Sequence, residues 1–243
     1  DKETGKTVWK TDRDVAWNDE NITEGEYAKY ADLAKDGDFR KAHSTPLVVT
    51  ADGKLQLLSG GAKAMFSYDP RTGKEYWHVL YDDWSVAPRP LYDDGMAFIV
   101  PGLMHPELWA VKTGGSGDVT DSLVEWRLKT GVSKSASPLL VDGLIYMASD
   151  DGIASCVEAA TSDVVWKKRI GGRHWASPLY AAGRIYFFDD RGQSVVIKPG
   201  REFEELATNE LDDGFMASPA VDDGALYLRT KSHLYRIDDA RPN

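Results

Sequence analysis

The residues with the greatest potential for binding chemistry are cations and aromatic side chains near five regularly spaced prolines. Four positions ahead of these prolines stand Ala42, Trp84, Lys134, His174 and Phe215. Such groups suit an anionic or aromatic ligand, or a peptide. The full set of candidate ligand-binding residues is Lys41, His43, Trp84, Arg89, Lys134, Arg173, His174, Trp175 and Phe215. The alternative interpretation is that the aromatics pack between structural repeats while the cations face solvent.

The residue pattern does not predict metal binding, disulfide formation or nucleophilic catalysis. Acidic pairs such as Asp150-Asp151 lie beside glycines, and Asp favours such turns because it accepts hydrogen bonds from nearby backbone N–H groups. The histidines show no His-x-x-x-His spacing, and Cys156 is the only cysteine. This composition excludes an intrachain disulfide and a multi-cysteine metal site. No Gly-x-Ser-x-Gly sequence marks a nucleophile, so no catalytic and no metal-binding residues are predicted.

The elements that must position the candidates come from an internal repeat. A small-residue–proline element recurs at spacings of 42, 50, 40 and 41 residues. Its prolines are Pro46, Pro88, Pro138, Pro178 and Pro219. A glycine follows each proline, and β-branched and aromatic runs such as Leu144-Ile145-Tyr146-Met147 come next. Four short strands in about 40 to 45 residues are typical of a propeller blade.

The sequence therefore predicts an all-β propeller of about five four-stranded blades in a single domain, residues 1–243. The blades are predicted at about 44–80, 86–129, 136–169, 176–208 and 217–243. The first strand, residues 4–10, is predicted to complete the last blade. A short inserted helix near 24–36 is expected, because Thr23 and Glu26 form a capping box and Gly37 ends the apolar stripe. The loops that carry the candidates lead into innermost strands, so they should rim the channel.

Charge and hydropathy exclude two classes of partner. The chain has 29 Lys and Arg residues against 39 Asp and Glu residues, a net charge of −10. Nucleic acid is a poor partner for this balance, since affinity comes mainly from neutralised phosphates. No apolar run approaches the roughly 20 residues that span a bilayer, so no membrane-spanning segment is predicted.

A nine-residue motif carries a family resemblance. It stands complete as Asp1-Lys2-Glu3-Thr4-Gly5-Lys6-Thr7-Val8-Trp9 and again from Asp69 to Trp77, with a diverged copy from Glu158 to Trp166. These residues resemble the PQQ-like repeat, or quinoprotein alcohol dehydrogenase-like, propellers, and are similar to bacterial secreted members. The resemblance implies that Trp9, Trp77, Trp126 and Trp166 dock neighbouring blades. It also implies either a five-bladed ring or the last part of a ring with seven or eight blades.

The resemblance implies two functions. The first is a non-catalytic scaffold that binds a protein, peptide or polysaccharide at the channel mouth, without a cofactor and in a periplasmic or extracellular setting. The second is a PQQ-dependent dehydrogenase domain, or its relic, with PQQ and calcium. The family's quinone enzymes often place the quinone against a vicinal disulfide, which Cys156 alone cannot form. We expect the first function.

Overall fold

The fold consists of antiparallel sheets in which consecutive strands pair as a meander. The computed structural model describes residues 1–16 and 38–238. Within these ranges it has twenty strands and one 3₁₀ turn, Asp38–Arg40. The helix expected at 24–36 lies outside the described residues. The chain divides into two compact units, Asp1–Arg127 (unit 1) and Leu128–Asn243 (unit 2).

Unit 1 contains two sheets, called blades 1 and 2. Blade 1 has the strand order β1-β2-β3-β4-β8, and blade 2 has the order β5-β6-β7-β9. Blade 1 comprises β1 (Leu47–Ala51), β2 (Lys54–Gly60), β3 (Ala64–Tyr68), β4 (Glu75–Leu80) and β8 (Gly117–Asp118). Blade 2 comprises β5 (Leu91–Asp93), β6 (Met96–Ile99), β7 (Leu108–Lys112) and β9 (Val124–Leu128). Strand β8 pairs in parallel with β4 and so covers the outer edge of blade 1.

Unit 2 contains three sheets, called blades 3, 4 and 5. Blade 3 comprises β10 (Leu139–Val141), β11 (Leu144–Ala148), β12 (Ile153–Glu158) and β13 (Val164–Arg169). Blade 4 comprises β14 (Leu179–Ala181), β15 (Arg184–Phe188), β16 (Gln193–Lys198) and β17 (Glu204–Glu210). Blade 5 has three strands in the described residues, β18 (Ala220–Asp222), β19 (Ala225–Arg229) and β20 (Leu234–Ile237). The predicted all-β fold of four-stranded blades is confirmed.

The first two strands of each blade are joined by a two-residue turn that the repeated glycine makes possible. In blade 3 both turn residues have positive φ, 50° at Asp142 and 74° at Gly143. This conformation matches the twist of paired strands and is favoured by Asp-Gly. The glycine after each proline was therefore a sound marker of strand boundaries.

Apolar side chains between neighbouring blades hold each unit together. In unit 1 the cluster includes Trp77 of blade 1 and Trp109 of blade 2. In unit 2, Tyr146 and Cys156 of blade 3 share a cluster with Phe187 of blade 4. Burial of this apolar area stabilises sheet-on-sheet packing at roughly 25 cal/mol per Å².

The N-terminal segment packs on blade 1. No strand is assigned within residues 1–16, where strand 4–10 was predicted. Arg13 Nη2 instead donates to Ser59 Oγ at 2.7 Å, and its guanidinium lies 4.9 Å from the centre of the Phe66 ring. Val15 is buried with Phe66. Completion of the last blade by residues 4–10 stays a prediction, as does the description of residues 1–243 as one domain.

Candidate functional site

The best-defined candidate surface is a set of loops at one end of blades 3 to 5, which we call the unit 2 loop face. It consists of residues 149–152, 170–178, 189–192 and 211–219. Backbone hydrogen bonds join these loops to one another. Asp190 N donates to Arg173 O at 2.9 Å, and Phe215 N donates to Asp189 O at 3.0 Å. The loops therefore form a connected and preformed surface.

Asp189 is the centre of this loop system. Its side chain is only 2% exposed, and Oδ1 accepts hydrogen bonds from Arg191 N at 3.0 Å and Gln193 N at 2.9 Å. Oδ2 accepts one from Gly172 N at 2.9 Å. A buried carboxylate that accepts several N–H groups fixes their positions strongly. Sequence reasoning assigned the Asp189-Asp190 pair to an ordinary turn and missed this cross-loop role, because the Gly172 contact comes from another loop.

The side chains that the unit 2 loop face presents to solvent are cationic, acidic and apolar. Arg173, Arg191, Asp151 and Asp212 are exposed, and Trp175 is half-buried. Lys134, in the loop that enters blade 3, is also half-buried. Met216 is 60% exposed and adds an apolar side chain to this face. Arg173, Trp175 and Lys134 were sequence candidates, whereas Arg191 and Met216 were not. The mixture suits a partner that offers both apolar and charged groups.

His174, a fourth candidate, lies beneath this face. It is 1% exposed, and its Nδ1–H donates to Phe188 O at 3.0 Å. Burial lowers the pKa of His174, against the opposing effect of nearby carboxylates, of which Asp189 is the largest. The lowered pKa favours the neutral imidazole, whose ring packs edge-on against Phe187.

Phe215 and Trp84 are also buried rather than displayed. Phe215 is 2% exposed and packs against Phe188, with ring centroids 5.1 Å apart. Trp84 is 6% exposed and packs edge-on against Phe39, with ring centroids 4.4 Å apart. Burial removes these two residues and His174 from any surface that a large ligand contacts without rearrangement. For these three buried residues, packing describes the structure better than display to a ligand.

The unit 1 candidates occupy two adjacent loop segments. Ser85 N donates to Lys41 O at 3.0 Å, and His43 N donates to Val86 O at 2.7 Å. The side chains of Lys41, His43 and Arg89 are exposed. Their ligand-binding role stays a prediction.

A buried carboxylate also orders the loops of unit 1. Asp83 is 3% exposed, and Oδ2 accepts from His105 N at 2.8 Å and from Met104 N at 3.0 Å. Oδ1 accepts from Trp84 N at 2.7 Å. Burial nevertheless raises the pKa of Asp83, with these hydrogen bonds opposing the shift. Asp83 thus joins the loop before blade 2 to the loop at 103–105.

Two of the four tryptophans that were predicted to dock blades make the same kind of contact. Trp166 Nε1 donates to Gly200 O at 3.1 Å, at the corner between the last two strands of blade 4. Trp9 Nε1 donates to Pro70 O at 3.0 Å, at the matching corner of blade 1. A Cβ on Gly73 would lie 2.5 Å from the Trp9 ring, so the glycine of the motif permits this approach.

The other two tryptophans differ from this pattern. Trp77 is 1% exposed, and its Nε1 donates to Gln56 Oε1 within blade 1 at 3.0 Å. Trp126 is half-buried beside Phe98, at a centroid distance of 5.8 Å. The blade-docking role of the four tryptophans stays a prediction.

The calcium of a quinone centre needs a cluster of ligands, for which the described acidic, histidine and cysteine side chains are the candidates. Calcium takes 6 to 8 oxygen ligands converging on one point. In residues 1–16 and 38–238 no three His, Cys, Asp or Glu side chains are grouped to hold a metal ion. Cys156 is buried and unpaired, and burial raises the pKa of its thiol to about 11. We therefore derive no catalytic step through a quinone.

The repeated four-stranded antiparallel blades define a β-propeller of PQQ-like repeats. The family model described as "Outer membrane protein assembly factor BamB" matches residues 1–241. The chain belongs to this PQQ-like family. No protein of curated function matches it at a significant level of sequence similarity.

Two solved structures share the fold. BamB from Moraxella catarrhalis superposes with a TM-score of 0.63 at 17% identity, covering 79% of this chain and 57% of that one. The quinohemoprotein alcohol dehydrogenase ADHIIG from Pseudomonas putida HK5 superposes with a TM-score of 0.59 at 14% identity, covering 83% of this chain and 41% of that one. The chain thus spans about half the length of these two structures. Among the described residues, no helix has the length and apolar character needed to cross a membrane.

Proposed function

We propose that this chain is a non-catalytic scaffold that binds a protein partner through the unit 2 loop face. The observation that carries the proposal is the buried Asp189 carboxylate, whose three amide contacts hold separate loops in one arrangement. A surface ordered before binding loses less conformational entropy when a partner docks. We favour protein over peptide or polysaccharide because the matching family is described as an assembly factor.

Trp175 is the residue expected to contribute most to binding. It is half-buried, so part of the residue remains available to a partner. Tryptophan and arginine are enriched among residues that dominate protein interfaces. Arg173 and Met216 on the same face add a charge and an exposed apolar chain.

The proposal extends to location and cofactor. Family membership supports an extracytoplasmic setting, where an assembly factor of the outer membrane works. The scaffold role requires no cofactor, and the dehydrogenase alternative needs a metal-binding cluster of a kind that residues 1–16 and 38–238 do not offer.

Site-specific photocrosslinking in the native host tests the binding face. A benzoylphenylalanine at Met216 should crosslink one protein, identified by mass spectrometry, and the same residue at Arg173 should capture that same protein. The control site is Glu202, which is exposed at the opposite end of blade 4. Equal crosslinking from Glu202 and Met216, or none from the loop-face sites, would contradict the proposal.

A further inference from the structure

Unit 2 contains a polar cavity of about 290 Å³ where blade 3 meets blade 4, which we call the arginine pocket. Its lining residues are Arg169, Gly171, Gly172, Asp189, Arg191, Gln193 and Glu210. Arg169 is the last residue of β13 in blade 3, and Gln193 is the first residue of β16 in blade 4. The pocket thus brings two guanidinium groups and one carboxamide together.

These side chains offer N–H donors that the protein itself leaves largely unused. Arg169 Nη1 donates to Asp151 O at 2.8 Å, which holds the guanidinium in place while its other N–H groups stay available. The side chains of Arg191 and Gln193 form no hydrogen bond or ion pair with residues 1–16 or 38–238. Both arginines are exposed and Gln193 is half-buried, so a ligand can reach the donors from solvent.

Two glycines allow these side chains to lie against the backbone of the neighbouring loop. A Cβ on Gly171 would lie 2.7 Å from Gln193 Oε1. A Cβ on Gly172 would lie 3.4 Å from Arg191 Nε and 2.7 Å from Asp190 Oδ1. Any side chain at these two positions would therefore displace the groups that line the pocket.

The two carboxylates of the pocket differ in what they can do. Asp189 is buried, and its oxygens already accept the amide protons of Gly172, Arg191 and Gln193, so it orders the pocket. Glu210 lies opposite Gln193 on β17, is exposed, and forms no ion pair within the part of the chain that the structure describes. Its charge repels a dianion twice as strongly as a monoanion at the same distance.

We propose that the arginine pocket binds a carboxylate from an acidic side chain of the protein partner. A guanidinium presents its N–H groups in a planar fork that matches two carboxylate oxygens, and Gln193 Nε2 supplies a further donor. The pocket shares residues 170–172 and 189–192 with the unit 2 loop face. The partner as the source of the carboxylate rests on the function proposed above, whereas the chemistry of the site rests on the pocket.

NMR titration of the whole chain at constant ionic strength tests the chemistry of the site. The probe is N-acetylglutamate α-amide, which carries one side-chain carboxylate, and its neutral match is N-acetylglutamine amide. The glutamate probe should shift the Gly171 and Gly172 amide signals and the Arg191 Nε–H signal to saturation, and the glutamine probe should not. No saturable shift, or equal shifts from both probes, would overturn the proposal.

Variants of the pocket give effects of opposite sign. Arg191→Gln keeps the backbone N–H that binds Asp189 and should weaken the glutamate probe about threefold to tenfold. Glu210→Gln should strengthen it, because repulsion between two carboxylates is lost, and damage to the fold would not do so. The control is Arg184→Gln, which removes an exposed arginine at the opposite end of β15 and should change nothing. Equal weakening by Arg184→Gln and Arg191→Gln, or weaker binding by Glu210→Gln, would contradict the assignment.

Two further measurements identify the source of the anion. Inorganic phosphate should shift the same signals more weakly than the glutamate probe, and tighter binding of phosphate would overturn the carboxylate assignment. In calorimetry with the protein captured from Met216, Arg191→Gln should raise Kd about threefold to tenfold. A captured partner whose Kd ignores Arg191→Gln would refute the acidic side chain while the proposed function stands. If no partner is captured, the proposed function fails, and the glutamate titration still decides whether the pocket binds a carboxylate.

Discussion

Replacing Asp189 with alanine should loosen the unit 2 loop face and destabilise the protein. The substitution removes the acceptor for three backbone N–H groups, those of Gly172, Arg191 and Gln193. Hydrogen bonds to charged groups contribute about 1.5 to 3 kcal/mol each, and unmade buried ones cost a similar amount. Because water can reach the exposed parts of these loops, we take about 1 kcal/mol per bond, or about 3 kcal/mol in total.

Thermal unfolding and hydrogen exchange measure this effect. A loss of about 3 kcal/mol corresponds to a fall in Tm of about 6 to 12 °C for a chain of this size. The amides of Gly172, Arg191 and Gln193 should lose their exchange protection. The matched control is Asp190→Ala in the same dipeptide, whose carboxylate Oδ1 accepts only the amide of Arg173, so Tm should fall by at most about 4 °C. Equal Tm values for the two variants would refute the reasoning.

Four further predictions concern local contacts. Trp166→Phe removes the hydrogen bond to Gly200 O and should cost about 1 kcal/mol in a denaturant titration, whereas an unchanged midpoint would contradict this. Ser218→Ala removes the acceptor for Ser177 N, so the Ser177 amide should exchange faster, and unchanged protection would count against that contact. Cys156 should resist a thiol reagent in the folded chain, because the thiol is buried and its pKa is raised to about 11; reaction at the rate of a free thiol would disprove its burial. Because burial lowers the pKa of His174, the free energy of unfolding should fall as pH drops below about 6.5, and His174→Asn should flatten this slope.

The repeat made the blades predictable from sequence. Proline and glycine marked where strands begin and turn, and the β-branched and aromatic runs between them form the strands. The strand predicted from Leu144-Ile145-Tyr146-Met147 is β11, Leu144–Ala148. Such signals are local: a positive φ at Gly143 depends on the residue itself and its neighbours.

The candidate site was harder to predict because burial in loops depends on distant residues. His174 and Trp175 are adjacent in sequence, yet His174 is buried and Trp175 is half-buried. Nothing in their types distinguishes the two outcomes, since both are aromatic and polar at one edge. Asp189 also looked like a turn residue until the loop containing Gly172 was placed against it.

The central claim is that the unit 2 loop face binds a protein partner, and calorimetry with the protein captured from Met216 tests it most directly. Trp175→Ala should weaken the affinity at least about 30-fold, corresponding to about 2 kcal/mol for a residue that dominates an interface. Glu202→Ala, at the opposite end of blade 4, should leave Kd unchanged. An unchanged Kd for Trp175→Ala, or an equal loss for Glu202→Ala, would contradict the account.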